Sequence, residues 1–171
     1  MTKYEVKDSE LEALRGKTVL IIGAASGIGR ATVLLAHRKY PLSYFAEVDL
    51  KYEGADVLRL WCEKVTVQRR AIFRKCDMAK WDDVVGMFEA TWRAFGQIDV
   101  VLANAGIHSE GDWLTDAIST TDGNLLPPDM NTIRVNLDGT IYVTKCAMHY
   151  FARQPDRKTQ LVFTGSAARY A

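Results

Sequence analysis

The amino-acid sequence predicts an α/β protein, a doubly wound parallel sheet with helices on both faces in three layers. Three observations carry this expectation. The stretch "KTVLIIG" (17–23) is a continuous apolar run, the pattern of a strand buried on both faces. A glycine-punctuated corner, "GAASGIG" (23–29), follows and opens into helical spacing. Strand-type and helix-type patterns then alternate to the end of the chain, with no repeat and no linker between them. On this reading residues 1–171 form one domain, with residues 1–15 as an N-terminal extension.

Each element has its own signal. "RATVLLAHRKY" (30–40) has helix-compatible spacing, and Pro41 ends it because proline cannot donate the next backbone hydrogen bond. "LSYFAEVD" (42–49) is aromatic and β-branched, a second strand. "YEGADVLRLWCEKV" (52–65) aligns Val57, Leu58, Trp61 and Val65 on one helical face, which suits a crossover helix. "RAIFRKCD" (70–77) reads as a third strand. The segment "KWDDVVGMFEATWRAFG" puts Trp81, Val84, Val85, Phe88, Trp92 and Phe95 on one stripe before Gly96 stops the helix. "IDVVLANAG" (98–106) is a fourth strand ending in a polar turn. A Gly-, Pro- and Asp-rich loop leads to a helix from about Met130 to Arg153, and "TQLVFTGS" (159–166) is a fifth strand at an incomplete C-terminal edge, "QLVFTG", open to self-association. In such a sheet ligands bind beyond the carboxyl ends of the strands.

Composition narrows the partners. With 22 basic and 21 acidic residues the net charge is +1, which supplies no field for a nucleic acid backbone or an anionic membrane. A small-molecule partner is expected instead. No segment approaches the roughly eighteen apolar residues of a membrane span, the N-terminus has no signal-peptide core, and the expected location is cytoplasmic. Cys62, Cys76 and Cys146 form no Cys-x-x-Cys pair and read as reduced, buried thiols. No metal ligand set is expected.

The glycine corner has a physical reading of its own. Gly23 closes the strand, Gly27 lets the backbone approach a phosphate, Gly29 lets the helix pack closely on the sheet, and free amides at the helix start attract an anion. The spacing differs from Gly-x-Gly-x-x-Gly, and Arg30-Ala31 replaces the Lys-Ser or Lys-Thr pair of a P-loop.

"GAASGIG", "LANAG" (102–106), "VNLDG" (135–139) and "VFTGSAA" (162–168) occur together in an order and spacing that resembles the short-chain dehydrogenase/reductase family. The resemblance implies a Rossmann-type fold and an oxidoreductase that transfers hydride between a nicotinamide cofactor and an alcohol or carbonyl compound, with a homo-oligomer as the full-length form. It gives Gly23, Ser26, Gly27, Ile28 and Gly29 to the cofactor pyrophosphate, and Asn104, Ala105 and Gly106 to the central sheet near the adenosine ribose. Where Ile22 stands, the family usually has a threonine, whose hydroxyl steadies the turn. Asp77 resembles the aspartate that contacts the adenine amino group, with the Met78 backbone beside it; Asp77 can equally cap the following helix. Asn136 resembles the asparagine that kinks its helix and holds a water of the proton relay, and Ser166 the serine that positions the substrate oxygen.

The end of the second strand chooses the cofactor, because a carboxylate there accepts hydrogen bonds from both ribose hydroxyls. Glu47 and Asp49 are the candidates, with spacing from Gly29 favouring Glu47. A carboxylate at 4 Å from a 2′-phosphate is repelled by about 4 kcal/mol at intermediate dielectric. NAD is therefore expected over NADP, and Ser26 agrees, since the resemblance puts a basic residue there in NADP-using members.

The family's remaining pair, Tyr-x-x-x-Lys, is absent. The chemistry needs it: hydride addition leaves an alkoxide that must be protonated, and a phenol near pKa 10 needs a neighbouring ammonium to act at neutral pH. Tyr170 is followed only by Ala171, and no other tyrosine has a lysine four residues on. The chain thus reads as the N-terminal part of a truncated dehydrogenase; the alternative is a shortened, inactive nucleotide-binding or subunit-association protein. Lys145, near Asn136 in sequence, reads as a surface residue. The insert "HSEGDWLTDAISTTDGNLLPPD" either rims the site, with His108, Ser109 and Trp113 near the nicotinamide end, or is a plain surface loop.

Overall fold

The computed structural model describes residues 12–39, 44–49, 71–108 and 117–165, with 37–39 and 44–49 described by their backbone. Five strands, β1 (Thr18–Ile22), β2 (Tyr44–Asp49), β3 (Ala71–Lys75), β4 (Val100–Ala103) and β5 (Gln160–Phe163), form one sheet in the order β3-β2-β1-β4-β5. Every pairing is parallel. The helices are α1 (Gly27–Lys39), α2 (Trp81–Phe95) and α3, which is α-helical over Asn131–Ile133, widens to a π turn over Arg134–Gly139 and returns to α-helix over Thr140–Ala152. The crossover helix expected over 52–65 lies outside the described residues.

The apolar run of β1 explains the layering. All five of its residues are buried, and alternate side chains enter opposite cores. Val19 and Ile21 pack with Val33 and Ala36 of α1, whereas Leu20 and Ile22 join a larger cluster with Val84, Met87 and Phe88 of α2 and Val143, Ala147 and Tyr150 of α3. Helices therefore cover both faces, as the fold class requires. β5 is the outer strand on its side among the described residues, and its Val162 and Phe163 are 43% and 51% exposed.

α2 follows its sequence pattern with a rotation. Its buried line is Val84, Met87, Phe88 and Thr91, while Trp81 is 40% exposed and meets Tyr142 edge-on at 5.5 Å. α2 packs on both the sheet and α3, so the buried face centres between those neighbours, leaving the bulky indoles at its margins. Gly96 ends it in the left-handed conformation (φ 69°), donating its N–H to the Trp92 carbonyl at 2.8 Å. The capping alternative for Asp77 is corrected: the N-cap is Lys80, without a side-chain cap, and the Asp77 carboxylate instead accepts the N–H of Ala79 at 3.0 Å.

Polar side chains pin the amino ends of the strands, away from the glycine corner. The fully buried Asp99 accepts the Thr18 N–H at 2.8 Å and the Arg157 Nε–H at 2.7 Å, with Lys17 Nζ at 3.6 Å. Gln154 closes a two-way amide pair with the backbone of Ile98. The carboxyl ends carry no such buried ion pair among the described residues and are joined through the loops that follow them.

Candidate active site

The corner after β1 is built by glycines for two different reasons. Gly23 (φ 83°) and Gly27 (φ 50°) take backbone conformations that a side chain resists. Gly29 is required by contact: a Cβ there would collide with the Gly23 carbonyl oxygen. The helix start is thus folded back against the turn that precedes it. A Cβ at Gly23 would lie 2.8 Å from the backbone of Ala105, so the loops after β1 and β4 touch at this glycine. Among the described residues nothing beyond its own turn comes within 4 Å of a Cβ added at Gly27, and Ile28 is 67% exposed, so one side of the corner is open there. Arg30 gives its N–H to the Ser26 carbonyl at 3.0 Å, which makes Gly27 to Gly29 the first turn of α1, whose amides have no earlier carbonyl within the helix. An exposed helix start with such amides fits a pyrophosphate.

Asn104 ties three strand ends together. Its N–H reaches the Ile22 carbonyl at 3.2 Å, its side-chain Nδ2 donates to the Gly23 carbonyl at 3.3 Å, and its Oδ1 accepts the Thr164 hydroxyl at 3.0 Å. Thr164, just beyond β5, was not singled out in the sequence, although it stands within "VFTGSAA". Gly106 then passes so close to Asn136 that an added Cβ would lie 3.3 Å from its Oδ1.

Asn136 sits within the π turn. Its Oδ1 accepts the Ile107 N–H at 2.9 Å and its Nδ2 donates to the Ile107 carbonyl at 2.8 Å, a two-way clamp between α3 and the loop after β4. The Asn136 carbonyl accepts the Thr140 hydroxyl at 2.7 Å, and Thr144 repeats the pattern onto the Thr140 carbonyl. Such bonds to the carbonyl four residues back bend helices, and π turns collect at functional sites.

Met78, 5% exposed, follows β3 beside Asp77, whose N–H is held by Asp83 Oδ2 at 2.9 Å. The Cys76 thiol next to them is pushed up to about 12, first by burial and then by Asp83 and Asp77, so it stays protonated and unreactive. Cys146 is buried and free as well, and Cys62 lies outside the described residues. Glu47 stands in β2 between Ile21 and Phe73, and Asp49 is the last residue of that strand. Their side chains lie outside the description, as do Ser166, Tyr170, Ser109 and Trp113. His108 is exposed directly after Ile107. Lys145 points elsewhere: its Nζ lies 6.0 Å over the Trp81 ring, toward the start of α2. Among the described residues no cluster of three His, Cys, Asp or Glu could hold a metal ion, and no helix is long and apolar enough to cross a membrane.

The geometry therefore gathers Gly23–Gly29, Asn104–Ile107 and Asn136 at the carboxyl ends of β1 and β4, where the strand order reverses. Residues 17–170 match the family profile described as short chain dehydrogenase. The chain belongs to that family. It is 32% identical over 154 residues to the short-chain dehydrogenase/reductase ascJ of Acremonium egyptiacum, covering 90% of this chain and 48% of that protein. It is 30% identical over 153 residues to tropinone reductase-like 1 of Erythroxylum coca, covering 90% of this chain and 52% of that protein. A short-chain dehydrogenase/reductase of Brucella melitensis, described as a glucose/ribitol dehydrogenase, superposes with a TM-score of 0.68 at 27% identity, over 91% of this chain and 58% of that one. The family membership agrees with the four motifs, and the chain spans about half the length of the relatives it matches.

Proposed function

We propose that the Gly23–Gly29 corner binds the pyrophosphate of a nicotinamide dinucleotide, and that the chain is the nucleotide-binding part of an oxidoreductase acting on a small alcohol or carbonyl compound. The observation that carries this reading is the meeting of the glycine corner, the Asn104 clamp and Asn136 at the switch point between β1 and β4. Residues 1–171 are read as one nucleotide-binding domain after an extension over residues 1–15.

When bound, the nicotinamide supplies or accepts the hydride. The chain's own groups bind and orient. The amides of Gly27, Ile28 and Gly29 face the phosphates, with Ser26 beside them; Asp77 and the Met78 backbone receive the adenine. Glu47, or Asp49 one strand position beyond Val48, holds the ribose hydroxyls and repels a 2′-phosphate, which makes NAD the preferred cofactor. The Asn136 side chain spends its polar atoms on Ile107, which fixes the π turn against the loop after β4, and Asn136 holds a water that relays the proton. Ser166 orients the substrate oxygen. The phenol and ammonium that would protonate the alkoxide are not among these 171 residues in Tyr-x-x-x-Lys form, and the reaction is proposed for a chain that supplies them. A cytoplasmic homo-oligomer completes the reading.

Calorimetric titration with NADH and NADPH tests it. NADH is expected to bind more tightly, Glu47→Ala to narrow the difference, and Gly27→Val to abolish binding, since a branched side chain at φ 50° both strains the backbone and fills the open side of the corner. Unchanged NADH affinity in Gly27→Val refutes the site.

A further inference from the structure

Gly139, the last residue of the π turn, has no part in the proposed function, yet it is the tightest junction in the site after Gly29 and Gly23. A Cβ added there would lie 2.8 Å from the Met78 carbonyl oxygen and 2.9 Å from its Cγ and Cε. The thioether end could swing away; the carbonyl could not, because the turn that carries it is fixed by the Asp77 N–H on Asp83 (2.9 Å), the Ala79 N–H on Asp77 (3.0 Å) and the Lys80 N–H on the Asp77 carbonyl (2.9 Å). Earlier in the same π turn, Asn136 grips Ile107 in both directions. Six residues thus touch the loop after β3 at one end and the loop after β4 in the middle, although these strands are not neighbours in the sheet.

We propose that Gly139 is a positioning residue that holds the Asp77–Met78 turn and the Asn136 clamp in one fixed relation, so that an adenine nucleotide seated on that turn is registered at Asn136. The Gly139 contact on the Met78 carbonyl is close-packed and the short Asn136 side chain is held by Ile107 in both directions, so a displacement at one end is transmitted instead of absorbed. The inference rests on the dinucleotide site proposed above.

Nitrogen-labelled protein titrated with AMP, which carries the adenine and no nicotinamide, tests it by NMR. The Asn136 side-chain amide and the Ile107 backbone amide are expected to shift with the same midpoint as the Met78 amide. Gly139→Ala is expected to weaken AMP binding roughly tenfold, within the range of contact-mediated coupling, and to move the Asn136 signal before any ligand is added. Tyr150→Ala, which removes the ring stacked on Phe88 at 5.6 Å near the far end of α3, should lower thermal stability while leaving AMP affinity and the Asn136 signal as they are. AMP saturation that leaves Asn136 and Ile107 unmoved in the wild-type chain overturns the inference while the dinucleotide site stands, and so does a Gly139→Ala protein with wild-type AMP affinity. If Gly139→Ala does not fold, the wild-type titration decides alone. Failure of both AMP and NADH to bind the wild-type chain removes the proposed function and this inference with it.

Discussion

Asp99→Asn should destabilise the fold by about 2 kcal/mol, and the number can be built from the contacts of its carboxylate. The side chain is fully buried; one oxygen accepts the Thr18 N–H at 2.8 Å, the other the Arg157 Nε–H at 2.7 Å with Lys17 Nζ at 3.6 Å. An amide keeps the shape but offers one acceptor and one donor. The Thr18 N–H cannot leave, whereas Arg157 and Lys17, with side chains 36% and 28% exposed, can turn to water. The amide oxygen therefore takes the Thr18 side and the two cations lose their partner. A charge-assisted bond contributes about 1.5–3 kcal/mol, discounted here because the cations are partly solvated. Asp99→Ala also orphans the Thr18 amide, raising the loss to about 4 kcal/mol. Urea unfolding reads this directly: with a slope of about 2 kcal/mol/M, the midpoint falls by about 1 M for the asparagine variant and about 2 M for alanine. Arg157→Ala in the Asp99→Asn background should add little. A midpoint shift below about 0.25 M for Asp99→Asn, or equal shifts for the two variants, refutes the reasoning.

Two further outcomes follow from ionisation. The Cys76 thiol, pushed up to about 12 chiefly by burial, is expected to resist iodoacetamide at pH 8.5 in the native protein and to react once urea unfolds it; rapid native alkylation, located by mass spectrometry, contradicts the burial. Asp122, drawn down from 3.8 to about 2 by hydrogen bonds from Ser119 and then Asn124, lends its turn support that is complete above pH 4 and lost as pH falls through about 2, because a depressed carboxyl pKa stabilises only the ionised, folded form. An NMR titration of its carboxyl carbon with a midpoint near 4 excludes those bonds.

The features legible in the sequence are the ones that repeat or that depend on neighbours along the chain. β1 announced itself by four consecutive apolar residues, Val19 to Ile22, and Gly96 by its place after an amphipathic run. The glycine corner was readable as a phosphate cradle, but the two closest approaches at Gly23 and Gly29 were not, since they depend on Ala105 and on the turn folding back on itself. Burial of Met87 and Thr91 in place of Trp81 reflects where α3 happens to press on α2. The Asp99–Arg157 and Gln154–Ile98 pairings join residues more than fifty positions apart and leave no periodic trace. The π turn is also silent in propensity, because an i→i+5 bond draws on the same residues as the helix around it.

The place of β1 in the sheet links the site to the way the chain closes. Thr18 pairs with Tyr44 on one side and reaches Asp99, 81 residues on, at the other, so joining β1 to β4 closes a loop roughly three times longer, at an added entropic cost of about 1 kcal/mol. The crevice between those two strands exists only after that longer closure. A ligand held there consequently favours the whole closed sheet over any state in which the β3-β2-β1 half stands alone, and its binding free energy adds to the cohesion between the two halves of the chain.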